Sequence, residues 1–163
     1  MLECGAEKPN QDFINMNKSL ILAVFLVLFS CKKSNQVNDD PIPDVPVSIT
    51  INLALPLYAH LETIGTHVYE PGGVKGVVVV HHTDDKYYAF DRACSYQQST
   101  NCAKIEVDST NLQFRCGKTM STGFEKCCDS KFFMDGMVAQ GPAKFGLKQY
   151  NVSKNGSLLN IFN

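Results

Sequence analysis

From residue 47 onward, apolar and polar positions alternate. Val47, Ile49, Ile51, Leu53 and Leu55 fall at every second place, with Ser48, Thr50, Asn52 and Ala54 between them. Successive side chains of a strand point to opposite faces, so this spacing predicts a half-buried strand that Pro56 ends. Residues 57–66 carry no clear period and leave room for one helical turn. Pro71-Gly72-Gly73 marks a turn, and Val74–His82, with four consecutive Val, reads as a strand buried on both faces. Thr83-Asp84-Asp85 turns the chain back into Lys86–Phe90, which predicts a hairpin. Residues 91–103 are loop-like. Ile105–Val107 and Leu112–Cys116 suggest a second hairpin, and residues 117–131 form a long polar stretch expected to be a loop. Phe132–Met134 reads as a short strand. Leu147–Val152 and Ser157–Phe162 flank Lys154-Asn155-Gly156, where Asn-Gly is a strong hairpin signal. No amphipathic helical period follows residue 31. The expectation is an all-β domain over residues 47–163, with about eight short strands.

The part before this domain has a different pattern. Leu20–Phe29 is an unbroken apolar run, LILAVFLVLF, too short for a bilayer span of about 20 residues but suited to the core of a secretory signal. It ends in Leu28-Phe29-Ser30-Cys31, which is similar to a bacterial lipobox, where the chain is cut before the Cys and the Cys is lipidated. Glu3, Glu7 and Asp12 are acidic where a signal should open on basic residues, whereas Met16-Asn17-Lys18 makes an ordinary start. Residues 1–15 are therefore read as a mis-assigned extension and 16–30 as a lipoprotein signal peptide. Cys31 is read as the lipidation site. Residues 31–46 form a polar tether stiffened by Pro41, Pro43 and Pro46. The lipid places the protein at a membrane of the cell envelope. Lys32 and Lys33 directly after the anchor, with no early Asp, favour the outer membrane of a Gram-negative bacterium.

Charge changes the picture only by exclusion. Lys+Arg number 15 against 16 Asp+Glu, and removing residues 1–30 leaves a neutral chain. No basic surplus exists to drive nucleic-acid binding. A hydrophobic share of 44% is enough for a packed core. No Gly-x-Ser-x-Gly or phosphate-cradling Gly loop is present, so nothing points to a hydrolase or a nucleotide enzyme. His81 and His82 would point to opposite faces of a strand and cannot easily share a metal.

Cysteine carries the chemistry. Of seven, Cys4 and Cys31 lie outside the domain, leaving Cys94, Cys102, Cys116, Cys127 and Cys128 in or beside the two predicted loops. Outside the cytoplasm such thiols default to disulfides. Five allow two bridges and one free thiol, in fifteen arrangements. A bridge between neighbours Cys127 and Cys128 would strain the backbone, so each is expected to seek another partner. The same five residues are also a candidate metal or iron–sulfur set.

Phe90-Asp91-Arg92-Ala93-Cys94, the segment ending Asp129-Ser130-Lys131-Phe132, Asp135-Gly136 and Gly141-Pro142-Ala143 with Leu147 and Tyr150 together resemble the Rieske [2Fe-2S] domain. More closely, they resemble small Rieske-like lipoproteins of the Bacteroidetes. The resemblance implies an antiparallel β-sandwich of short strands with a two-loop cluster region, and it makes Gly141, Pro142 and Ala143 a cover loop. It also implies a Cys and a His ligand from each loop. Cys94 stands at the first Cys position, but Tyr96 occupies the His position. In the second loop one register places Glu125 at the Cys and Cys128 at the His. The other places Cys127 at the Cys and Ser130 at the His. His60, His67, His81 and His82 all precede Cys94. Two imidazoles on one iron raise a Rieske potential above that of an all-Cys ferredoxin, and neither loop supplies them. The expected protein is therefore a non-enzymatic binding or structural module stapled by disulfides, without a cofactor. The alternative is an electron-transfer protein with a Cys-ligated [2Fe-2S] cluster or a redox-active disulfide. Its partners would be the membrane, through the lipid, and an envelope protein.

Overall fold

The structure is a computed structural model that describes residues 42–163. The extension, the signal peptide, Cys31 and the first part of the tether lie outside the described residues. Ten strands follow one another: β1 (Ser48–Asn52), β2 (His67–Glu70), β3 (Val77–His81), β4 (Tyr87–Asp91), β5 (Ile105–Val107), β6 (Gln113–Met120), β7 (Gly123–Phe133), β8 (Val138–Gln140), β9 (Gln149–Asn155) and β10 (Leu158–Phe162). One 3₁₀ turn, Ala59–Glu62, lies in the stretch 57–66 that carries no clear period. No α-helix is present among the described residues.

The strands form two antiparallel sheets, ordered β1-β10-β9-β4-β3-β2 and β5-β6-β7-β8. The four Val of β3 show why both faces matter. Val77 and Val79 enter one core with Ile51, Leu61, Ala89, Tyr150, Leu159 and Ile161, around which the six-stranded sheet curls. Val78 and Val80 enter a second core with Phe90, Ile105, Phe114, Cys116 and Phe132, between the two sheets. A strand buried on both sides needs an uninterrupted apolar run, and β3 supplies it. The second core is the sandwich interface, and the thiols lie at one end of it.

Three expectations are corrected. Ten strands are present where about eight were expected, because β2 and β8 are short edge strands with few buried positions. The first strand stops at Asn52, where its side-chain oxygen accepts the Ala54 N–H at 3.0 Å and turns the chain. Residues 117–131 are not a loop. Most of them belong to β6 and β7, whose pairs Gly117↔Lys126 to Met120↔Gly123 extend a hairpin away from the core. Its outer residues are largely exposed, so they lack the apolar alternation by which a strand is recognised.

Candidate functional site: a thiol centre between two sheets

The first loop leaves β4 and is pinched shut at its base. Ala93 bridges Lys104, and the Cys94 N–H donates to the Ala103 carbonyl at 3.0 Å. This turns the Cys94 side chain into the inter-sheet core, where it is 0% exposed. The second group of cysteines comes from the β6–β7 ladder, whose register breaks at one point. Arg115 faces Lys131, but Gly117 faces Lys126. Cys116 therefore stands alone on β6 opposite the whole segment 127–130, and this bulge carries Cys127, Cys128 and Ser130 over it. Gly117 makes the break possible. Its φ is +147°, and a Cβ there would meet the Glu125 carbonyl and the Phe124 ring.

Cys102 and Cys127 are joined in a disulfide, with Cα atoms 5.5 Å apart, which staples the first loop to β7. Cys94, Cys116 and Cys128 are free thiols. Their sulfurs all lie within 4.8 Å of one another, and Cys94 Sγ is 3.8 Å from Cys128 Sγ. Among the described residues one bridge forms where two were expected. Cys127 and Cys128 do not pair with each other. As neighbours on the bulge they reach different partners, Cys102 and the thiol group.

Cys94 and Cys116 hold their protons unequally. A hydrogen bond from Cys116 to its sulfur brings the Cys94 thiol down to about 7 against the opposing effect of burial, and the Tyr96 N–H, Cys128 and Ser130 add to the lowering. The same Cys116–Cys94 bond, followed by burial and the negative charge at Cys94, pushes Cys116 far above the ordinary thiol range. Cys94 is thus the first of the two to ionise and Cys116 the last. The Ser130 N–H points at Cys128 Sγ from 3.4 Å. Lys75 reaches in from the β2–β3 turn, its ammonium donating to the carbonyls of Thr100 and Ala103 at 2.5 and 2.9 Å. Burial lowers its pKa, while negative charge at Cys116, Cys94 and Asp91 raises it. Asp91 organises this corner. It is 0% exposed and accepts from the N–H groups of Val74, Lys75 and Ala93 and from the Tyr150 hydroxyl.

The positions singled out for lacking a His have other duties. Tyr96 gives its backbone N–H to Cys94, and its ring packs against the inter-sheet core. Ser130 is buried; its hydroxyl accepts the Ala143 N–H at 3.2 Å. Gly141, Pro142 and Ala143 lie over the second segment. A Cβ on Gly141 would collide with the Asp129 carbonyl and the Ser130 Cα, and its φ is +97°. Gly141→Ala is expected to lower unfolding free energy by about 1–3 kcal/mol, read as a shift in the urea midpoint. Glu125 is exposed on the hairpin, paired with Lys118. His81 is buried and stacks on Tyr87, with Nε2 2.9 Å from Asp85, while His82 faces Asp84. His60 contacts the His67 carbonyl. None of the four joins the sulfurs among the described residues. Sequence reasoning missed Lys75 and gave Asp91 no role.

A [2Fe-2S] cluster takes four protein ligands. The residues present do not fit it. Three thiols are gathered, the other two domain cysteines are bonded to each other, and no imidazole is at hand. Among the described residues, neither two Cys with two His nor four free Cys are gathered in one place.

No family model matches the chain. No curated protein matches it either. Among solved structures, the plasma-membrane Rieske protein PetC3 of the cyanobacterium Synechocystis PCC 6803 is 20% identical, with a TM-score of 0.45 over 58% of this chain and 84% of that one. The ferredoxin of carbazole 1,9a-dioxygenase from Nocardioides aromaticivorans IC177 is 17% identical, with a TM-score of 0.44 over 72% of this chain and 97% of that one.

Proposed function

We propose that this protein is a lipid-anchored module of the cell envelope whose degenerate Rieske-like domain binds rather than transfers electrons. Cys31 carries the lipid, residues 32–46 hold the domain off an outer membrane, and the thiol centre is its binding site. One observation carries this reading. The two segments that would hold a cluster are stapled by Cys102–Cys127 and present three free thiols and no His.

The whole chain, produced in a Gram-negative envelope and purified without reductant, is expected to be colourless and free of iron and sulfide. Denatured without reductant, it should titrate about three thiols and one disulfide per chain. A brown protein with iron and sulfide near two each would overturn the reading. Cys31→Ser should abolish fatty-acid labelling and release the protein from the membrane fraction.

A second reading has one observation in its favour. The low Cys94 thiol lies 3.8 Å from Cys128, next in sequence to the bridged Cys127, an arrangement suited to thiol–disulfide chemistry. The reduction potential separates the two, since structural bridges lie below about −300 mV.

A further inference from the structure

We infer that Cys94, Cys116 and Cys128 hold a single divalent thiophilic cation of the zinc type, at the place where the resemblance would put an iron–sulfur cluster. The inference rests on the binding-module reading above.

The sulfur spacing fits one ion. A Zn–S bond is about 2.3 Å, which sets the sulfur–sulfur edge of a tetrahedral site at about 3.8 Å. Cys94 and Cys128 are at 3.8 Å, and the whole triad is within 4.8 Å. The third sulfur therefore has to close by no more than about 1 Å. Thiolate sulfur is a soft donor, which selects zinc-like ions over calcium or magnesium. The triad supplies three ligands, and the fourth position has an outlet. A cleft of about 320 Å³ is lined by two of the three cysteines, Cys116 and Cys128, together with Arg115 and Lys126, with room for water or a small ligand.

Charge selects the valence. Three thiolates carry −3, and a divalent ion leaves −1 in a largely buried place. Lys75 cancels that remainder. The Ala103 carbonyl that receives the Cys94 N–H also receives the Lys75 ammonium, which fixes the cation beside the site. A monovalent ion would leave an uncompensated buried charge. Binding is a ligand exchange without electron transfer: the metal loses water, and the thiol protons go to solvent. The Ser130 N–H on Cys128 Sγ and the Tyr96 N–H on Cys94 orient the donors.

The test uses the whole purified chain with its disulfide intact. Titration with Co²⁺ under anaerobic conditions should saturate at one ion per chain, with thiolate-to-cobalt charge-transfer bands and tetrahedral d–d bands, and Zn²⁺ should displace it. Lys75→Met should weaken Co²⁺ binding by about 10–100-fold, as loss of a supporting outer partner does. Cys116→Ser should remove the three-sulfur spectrum. Zn²⁺ should also shield three thiols of the unmodified chain from alkylation, counted by intact mass, a readout that does not depend on any variant folding. An iron-free chain that binds no Co²⁺, or whose thiols label equally with and without Zn²⁺, overturns this inference and leaves the binding-module reading standing. A chain that carries iron and sulfide overturns that reading itself.

Discussion

Asp91→Ala is expected to cost about 3–5 kcal/mol of unfolding free energy, because it takes one shared acceptor from four donors at once. The carboxylate accepts three backbone N–H groups and one hydroxyl, at 2.6 Å from Val74, 3.3 Å from Lys75, 2.7 Å from Ala93 and 2.8 Å from Tyr150. Each buried donor left without an acceptor costs about 1–3 kcal/mol, and water entering the gap recovers part of that. Domains of this size hold only about 5–15 kcal/mol in total, so the variant sits near the threshold of folding. Tyr150→Phe removes one donor and leaves the acceptor satisfied by the other three, so it should cost only about 1–2 kcal/mol. Urea denaturation of both variants gives the comparison. The network also reaches the thiols: Ala93 precedes Cys94, and Lys75 is the ammonium beside it. Alkylation of Cys94 in Asp91→Ala at low denaturant should therefore run ahead of global unfolding. A loss below about 1 kcal/mol would mean that water replaces the carboxylate and that Asp91 organises nothing.

The contrast between Asp91 and β3 shows what can be read along a chain. The strands β1, β3, β4, β9 and β10 write their burial into local periodicity, and the turns between them use Asn-Gly and Asp-rich signals. Their placement needs no knowledge of partners. The outer part of the β6–β7 hairpin, residues 118–126, is held by backbone pairing with both faces largely in water. Polarity there carries no structural message, so an exposed strand and a loop look alike. The cysteines are legible as a set, because all five of the domain fall in two short stretches, 94–102 and 116–128. Their division into one bridge and one triad is not legible. It depends on the register jump that sets Cys116 against residues 127–130, a property of two strands together. Lys75 sits in a Gly-rich turn and reads as a solvated surface charge. Only the carbonyls of Thr100 and Ala103, about twenty-five residues away in sequence, make it part of the site.

Removing the Cys102–Cys127 bridge, by paired Cys→Ala substitution, is expected to lower unfolding free energy by about 3–4 kcal/mol. The bond closes a separation of 25 residues, and loop-closure entropy for that length amounts to about 3.5 kcal/mol at 25 °C. The native contacts around it argue that the effect acts on the unfolded chain. β5 already pairs with β6, and β6 with β7, and the Gly117 N–H bonds the Lys104 carbonyl at 2.8 Å. These ladders hold the first loop near β7 with or without the sulfur bond, so the folded strands should keep their register. The bridge matters most once the ladders are gone, when it still forbids the two segments to separate. Denaturant unfolding should therefore show a lower midpoint and a steeper dependence on denaturant, because the unbridged chain exposes more surface on unfolding. Far-ultraviolet circular dichroism of the folded variant should stay unchanged. A variant with altered strand content would instead place the bridge among the contacts that build the β7 bulge. The positions of Cys128 and Ser130 would then depend on that bond as well as on the register jump beside it.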